Sequence, residues 1–257
     1  MKNALSYSCA ILFGLLFSAT GISQSNPLYN PDYNGDGFIG VDDILGALSF
    51  YGNTWIETNP SSWSCGDMLV YSGLGYSTVQ IGDQCWFAEN LRTTTFINGD
   101  NIPLGLSDAD WISTSQGAMA YFNNVPSSGL YNWFAVVDLR GLCPDDWHVP
   151  TDDEWTVMTD YLDGIAVAGG QMKSTYGWID NGNGTNSSGF SGLPGGYRNY
   201  NTGFFIGAGT NGLWWSSSPT PNGLGAWVRG LANYSDEIYP GYDVYQSGHS
   251  VRCIQDY

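Results

Sequence analysis

The sequence predicts an α+β fold of short strands, few helices and long loops, and three observations carry that prediction. Glycine and aromatic residues are abundant (35 Gly, 11 Trp, 17 Tyr), while charged residues make up only 12% of the chain. That balance suits turns and short strands packed around aromatics. Helix-favouring Lys, Glu and Arg are too scarce for long solvent-facing helices. Short strand-like runs are separated by Gly-, Asn- and Pro-rich loops such as residues 180–189. With 257 residues, 42% of them hydrophobic, the chain has ample material for one sizeable core.

In chain order, Lys2 comes first, then the apolar run Ile11–Phe17 and the small residues Ser18, Ala19, Thr20, Gly21 and Ser23. This order of a positive start, an apolar centre and small residues predicts a secretory signal over residues 1–23, cleaved after Ser23. The run is too short to cross a bilayer, and no other stretch offers a transmembrane segment. Residues 24–59 form a small polar segment, with a linker at Asn59-Pro60-Ser61-Ser62. Residues 60–257 are then one large domain. The protein is expected outside the cell, secreted or at the cell surface, as a monomer.

The small segment contains an EF-hand pattern. Asp32, Asn34, Asp36 and Asp43 place side-chain oxygens at positions 1, 3, 5 and 12 of a twelve-residue loop. Gly37 permits the sharp turn, Phe38 offers its backbone carbonyl, and Gly40 leaves one ligand place to water. Calcium is a hard cation that takes six to eight oxygens, so Ca2+ is the expected cofactor, held by Asp32, Asn34, Asp36, Phe38 and Asp43. Pro27 and Pro31 leave no entering helix, and position 12 carries Asp where Glu is usual. Both features resemble a dockerin repeat, in which the loop leads into one helix, here residues 42–51 with Ile44, Leu45, Leu48 and Tyr51 on one side. Dockerins that bind cohesins carry two such repeats, so this single one is read as a calcium-stapled module. Its three carboxylates repel one another without the ion, which couples folding of the segment to calcium.

The large domain opens on a predicted hairpin, with strands Met68–Tyr71 and Ser77–Ile81 around Ser72-Gly73-Leu74-Gly75. Thr151-Asp152-Asp153-Glu154 is a capping box. It starts a helix that turns Trp155, Met158 and Leu162 to one side and stops near Gly164. Further strands are expected at Gly203–Ile206, Leu213–Ser217, Ala226–Leu231 and Ser250–Ile254. Cys65, Cys85, Cys143 and Cys253 remain after the signal. An even number in an exported chain reads as two disulfides, and four cysteines allow three pairings. Cys65 with Cys85 is favoured because it closes a hairpin-sized loop, which leaves Cys143 to tie the middle of the domain to its C-terminal strand through Cys253.

The net charge of −17 excludes nucleic acid as a partner, since phosphate binding needs clustered Lys and Arg. His148 and His249 are the only histidines. His148 reads as structural, because a lone histidine lacks the orienting partner of a catalytic base, and His249 reads as exposed in a Gly-Ser turn. No nucleophile elbow, zinc-protease or phosphate-loop motif is present, and no catalytic residue is assigned. Carboxylates are plentiful, so a hydrolase acting on polysaccharide stays as the alternative. Trp178, Trp214, Trp215 and Tyr242 are the candidate surfaces for stacking on a polysaccharide. Trp214 and Trp215 are adjacent in a strand and point to opposite faces, so only one need be buried.

Several segments, in a fixed order and spacing, carry a resemblance. They are Ile81-Gly-Asp-Gln-Cys85-Trp86-Phe-Ala-Glu89-Asn90-Leu91, Gly141-Leu-Cys143-Pro-Asp-Asp-Trp147-His148-Val-Pro-Thr151, Gly189-Phe190-Ser-Gly-Leu193-Pro-Gly195-Gly196-Tyr-Arg198, Trp214-Trp215-Ser-Ser-Ser218 and Ser250-Val-Arg252-Cys253. Over Cys65 to Tyr257 the chain resembles the Fibrobacter succinogenes major paralogous domain family. The resemblance implies a C-type-lectin-like fold, also akin to formylglycine-generating enzymes. Those enzymes need active cysteines after the Gly-Gly segment, and none follows Gly195-Gly196 here. Calcium-dependent lectins use Glu-Pro-Asn, which this chain lacks. The resemblance assigns no activity, and the expected function is a non-catalytic binding module for polysaccharide, with a structural or adhesive protein that binds a cell-surface protein as a further reading.

Overall fold

The computed structural model describes residues 63–122 and 129–256, all within a unit that extends from Asn59 to Tyr257. Twelve strands and four helices are described, so the α+β expectation holds with the sheets dominant. The strands are β1 (Met68–Tyr71), β2 (Leu74–Ile81), β3 (Gln84–Phe87), β4 (Met119–Tyr121), β5 (Gly129–Tyr131), β6 (Trp147–His148), β7 (Gly195–Arg198), β8 (Phe205–Ala208), β9 (Asn211–Pro219), β10 (Ala226–Ala232), β11 (Tyr239–Asp243) and β12 (Ile254–Gln255). The helices are α1 (Asp108–Ser113), α2 (Trp133–Val136), α3 (Asp152–Tyr161) and α4 (Ile165–Met172). One sheet has the order β1-β2-β3-β12-β6, a second β11-β10-β9-β7-β8, and β4 pairs with β5. Among the described residues no helix is long and apolar enough to cross a membrane.

The first hairpin is tighter than the sequence suggests. Ser72 and Gly73 both have positive φ (51° and 73°), the signature of a two-residue turn that follows the natural twist of the strands. β2 therefore begins at Leu74 and pairs with Tyr71. The capping box forms as expected. Thr151 Oγ1 accepts from Glu154 N at 3.2 Å, and Glu154 Oε2 accepts from Thr151 N at 2.7 Å. Trp155 and Met158 on α3 are buried. The helix stops close to Gly164, whose N–H donates back to Thr159 O. α3 closes at Leu162, and Gly164, at φ 89°, opens α4. α4 is hidden from a propensity argument by Gly169-Gly170. A Cβ at Gly169 would lie 2.6 Å from Glu237 O, so close backbone approach demands the glycine that propensity penalises.

Two apolar clusters fill the domain. Trp215, Phe87, Tyr131 and Val228 belong to one, and Trp214, Trp86, Trp155 and Met158 to the other. Adjacent residues of one strand thus feed opposite clusters, and β9 is covered on both faces. Both disulfides form between the favoured partners, Cys65 with Cys85 and Cys143 with Cys253.

The C-terminal segment joins these parts. Gly248 exchanges backbone hydrogen bonds with Arg198 of β7, and His249 with Tyr131 of β5. Ser250 N donates to Leu213 O of β9, while Leu91 N and Phe87 N donate to Val251 O and Cys253 O. Ile254 then pairs with both Trp86 of β3 and His148 of β6. The expected strand Ser250–Ile254 is really a thread that bridges one neighbour after another, and only β12 is regular.

At the centre of the thread, Arg252 is fully buried and makes no ion pair among the described residues, Glu89 acting on it only through its field. Nε donates to Asn90 Oδ1, and Nη1 to Phe87 O and Phe190 O, all at 2.8 Å, while Nη2 reaches Ser191 O at 3.2 Å. The guanidinium also lies 4.2 Å from the Phe190 ring centroid. Burial pushes its pKa down to about 9, so the cation persists at neutral pH. Asn90 is the second hub. Its Oδ1 also accepts from Trp214 Nε1 at 2.8 Å, and its Nδ2 donates to Ser250 Oγ at 3.0 Å.

Candidate functional site

The three candidate tryptophans are not binding surfaces. Trp214 and Trp215 are 0% exposed and Trp178 4%. Each indole spends its N–H inside the protein, on Asn90 Oδ1, Tyr131 O and Gly192 O respectively. The reason is the two-sided burial of β9: with a cluster on each face, both adjacent tryptophans pack inward.

Tyr242 is different, at 61% exposed. It sits on β11, an edge strand, directly opposite Trp227 of β10. Trp227 is half-buried, so one part of its ring faces outward. On the same face, Pro240 lies opposite Arg229. Pro240 is tolerated because an edge strand need not donate on its open side. Beside this pair runs a groove of about 350 Å3, whose walls include Trp227, Pro240, Arg229, Asp152, Thr156 and Asp160.

Helix α3 supplies the polar wall. Asp152, in its first turn, is gripped by Arg229 Nη1. Arg229 Nη2 donates to Asp152 O at 3.2 Å and to Thr156 Oγ1 at 3.1 Å. Arg229 is buried, so this network locks β10 to the helix and sets the width of the groove. Asp160, two turns further along, is exposed. Its carboxylate has no hydrogen-bond or ion-pair partner among the described residues. An aromatic pair beside a free carboxylate and a hydroxyl can stack on an apolar ring face and accept from groups around its edge. Sequence reasoning missed Trp227, Arg229 and Asp160. The strand Ala226–Leu231 held the signal for two of them, since alternation places Trp227 and Arg229 on one face.

His148 is structural as expected, though not alone, and His249 is not exposed. His148 has two carboxylate partners, Glu154 at 2.9 Å on Nε2 and Asp256 on Nδ1. The bond from Glu154 raises its pKa, against an opposing effect of burial, and Asp256 raises it further. Burial would raise Glu154, but its bonds from His148 and Thr151 hold it low. His148 therefore clamps β6 to α3 and the C-terminal segment. His249 is buried, not exposed, because the turn that contains it is the thread bonded to Tyr131. Its Nε2 meets Asp243 Oδ2 at 3.0 Å.

The clamp has a predictable pH dependence. The raised His148 stabilises fully below 6.5 and loses its contribution as pH rises through its folded value. The lowered Glu154 stabilises above 4.5 and loses its contribution as pH falls through its folded value. His148→Gln is therefore expected to cost most between those limits, and progressively less toward pH 9. The cost should be about 0.2–1 kcal/mol per half-exposed pair. Urea unfolding of both proteins across pH checks this, and a penalty that grows with pH contradicts the clamp.

Asp32, Asn34, Asp36, Phe38 and Asp43 lie outside the described residues. Among the described residues, no group of three or more His, Cys, Asp or Glu is arranged to hold a metal ion.

The profile of the Fibrobacter succinogenes major domain matches residues 79–255. The matched span starts within β2, so Cys65 and β1 precede it. No curated protein matches, and no solved structure matches.

Proposed function

The chain belongs to the Fibrobacter succinogenes major domain family, and we propose that it is an exported, non-catalytic polysaccharide-binding module. One observation carries the reading: the exposed Tyr242 stands opposite the half-exposed Trp227 in the strand register, and Trp227 lines a groove that also holds the free Asp160 carboxylate. Pyranose rings present apolar C–H faces that stack on such rings, while their hydroxyls donate to carboxylates. Export fits the signal pattern of residues 1–23 and the two disulfides, which form in oxidising compartments. A C-type-lectin-like topology fits the return of the C-terminal β12 to pair with the early β3. In the same proposal, residues 32–43 hold one structural Ca2+.

Glycan-array screening of the secreted protein, followed by calorimetry on the best glycan, tests the function. Trp227→Ala and Tyr242→Ala are each expected to weaken binding about tenfold, as loss of a stacking aromatic does. Binding to no glycan at all would sink the proposal, and release of new reducing ends would favour the hydrolase. Calorimetry with calcium alone should show one site, lost in Asp32→Ala with Asp36→Ala. Unchanged stoichiometry would refute the loop.

A further inference from the structure

A second cavity stands apart in its electrostatics. It measures about 360 Å3 and is lined by Ser72, Leu74, Arg92, Thr94, Thr95 and Tyr121. The chain carries 24 acidic residues against 7 basic, yet the described lining has one cation and no carboxylate. Most other cations are spent inside the protein. Lys173, Arg198, Arg229 and Arg252 are buried, and Arg140 is gripped by Asp138 and Asp100.

Arg92 keeps donor capacity. Its side chain is 26% exposed and pairs through Nη2 with Glu89 at 3.1 Å and Gly75 O at 2.8 Å. Nη1 makes no hydrogen bond among the described residues, and Nε is buried without a partner. The guanidinium is held in place, 5.0 Å from the Tyr76 ring centroid, while Arg92 N donates to Tyr76 Oη at 3.0 Å. Hydroxyls share the cavity wall with it. Thr93 Oγ1 donates to Ser72 Oγ at 3.1 Å, and Ser72 Oγ lies 3.4 Å from Thr95 Oγ1. Burial pushes the Tyr121 hydroxyl pKa up, and the nearby Arg92 charge opposes it.

We infer that this cavity takes a carboxylate-bearing sugar of the uronic acid type. Arg92 receives the carboxylate through a charge-assisted bond, and Ser72, Thr95 and Tyr121 meet the ring hydroxyls. A monoanion suits the site better than phosphate, because Glu89 shares the guanidinium and the acidic field of the protein repels a dianion more strongly. The cavity shares no lining residue with the aromatic groove, so the inference stands independently of the glycan stacking proposed there.

The probe is sodium glucuronate, titrated into the secreted protein by NMR at low salt, with methyl glucoside and acetate as controls. Glucuronate is expected to bind saturably, more weakly in high salt, and at least about tenfold more tightly than either control, because a control lacks one half of the recognition. Arg92→Gln should abolish binding. Arg92 also supports Gly75 O, so Ser72→Ala with Thr95→Val serves as a second variant, expected to weaken binding severalfold with unchanged thermal unfolding. Trp227→Ala should leave glucuronate binding intact. No binding, equal binding of either control, or a folded Ser72→Ala, Thr95→Val protein with unaltered affinity would overturn the inference.

Discussion

Replacing Arg252 with methionine is expected to destabilise the domain by about 3–5 kcal/mol, because several buried acceptors lose a charged donor at once. Methionine keeps much of the side-chain volume but no donor. Phe87 O, Phe190 O and Ser191 O then lose the Arg252 bonds, and Asn90 Oδ1 keeps only Trp214. Each buried acceptor left without a donor costs about 1–3 kcal/mol. The desolvation that Arg252 itself suffers, visible in its pKa of about 9, offsets part of that sum. A domain of this size should lose roughly 10–15 °C in Tm, at about 2–4 °C for each kcal/mol. Arg252→Lys should fall in the same direction, since a point ammonium cannot serve acceptors spread around a planar fork. Thermal unfolding of both variants checks this, and a Tm within a few degrees of the parent contradicts the hub.

The second large effect concerns the disulfides. Cys143–Cys253 spans 110 residues and Cys65–Cys85 spans 20. If a crosslink acts mainly by restricting the unfolded chain, the long loop is worth about 4.7 kcal/mol and the short one about 3. Cys143→Ala with Cys253→Ala should therefore be the more damaging pair. The structure adds a reason of its own, because Cys253 sits in the thread, next to Arg252, where it anchors the segment that bridges both sheets. Urea unfolding of the two double variants, compared with the parent, gives the order directly. Equal losses, or a larger loss for Cys65→Ala with Cys85→Ala, would refute it.

Local rules carried the sequence a long way and failed where a partner came from afar. The capping box at Thr151 and Glu154 forms between neighbours, and it was legible. The disulfide partners followed from loop size and elimination. β3 was not legible, because Gln84–Phe87 is buried at every position and shows no alternation. β11 was obscured by Pro240 and Gly241, which only an edge strand accepts readily. Arg252 looked like one more residue of a short C-terminal run, and its four acceptors come from residues 87, 90, 190 and 191.

The same limit applied to the candidate site. Tyr242 was singled out, but Trp178, Trp214 and Trp215 were too, because composition alone does not separate a packed indole from a surface one. The separation comes from topology. β9 is covered on both faces, whereas β11 is the edge strand that leaves Tyr242 exposed, and its neighbour β10 keeps Trp227 half-buried. The groove itself depends on α3 lying against β10 through Arg229 and Asp152, a pair 77 residues apart in sequence.

The most direct test of polysaccharide binding follows the Trp227 indole N–H by NMR while the best glycan from the array is added. The account predicts a saturable shift of that resonance, with the signals of buried Trp214 and Trp215 unmoved. A glycan that binds while the Trp227 resonance stays still, or an array on which nothing binds, would contradict it.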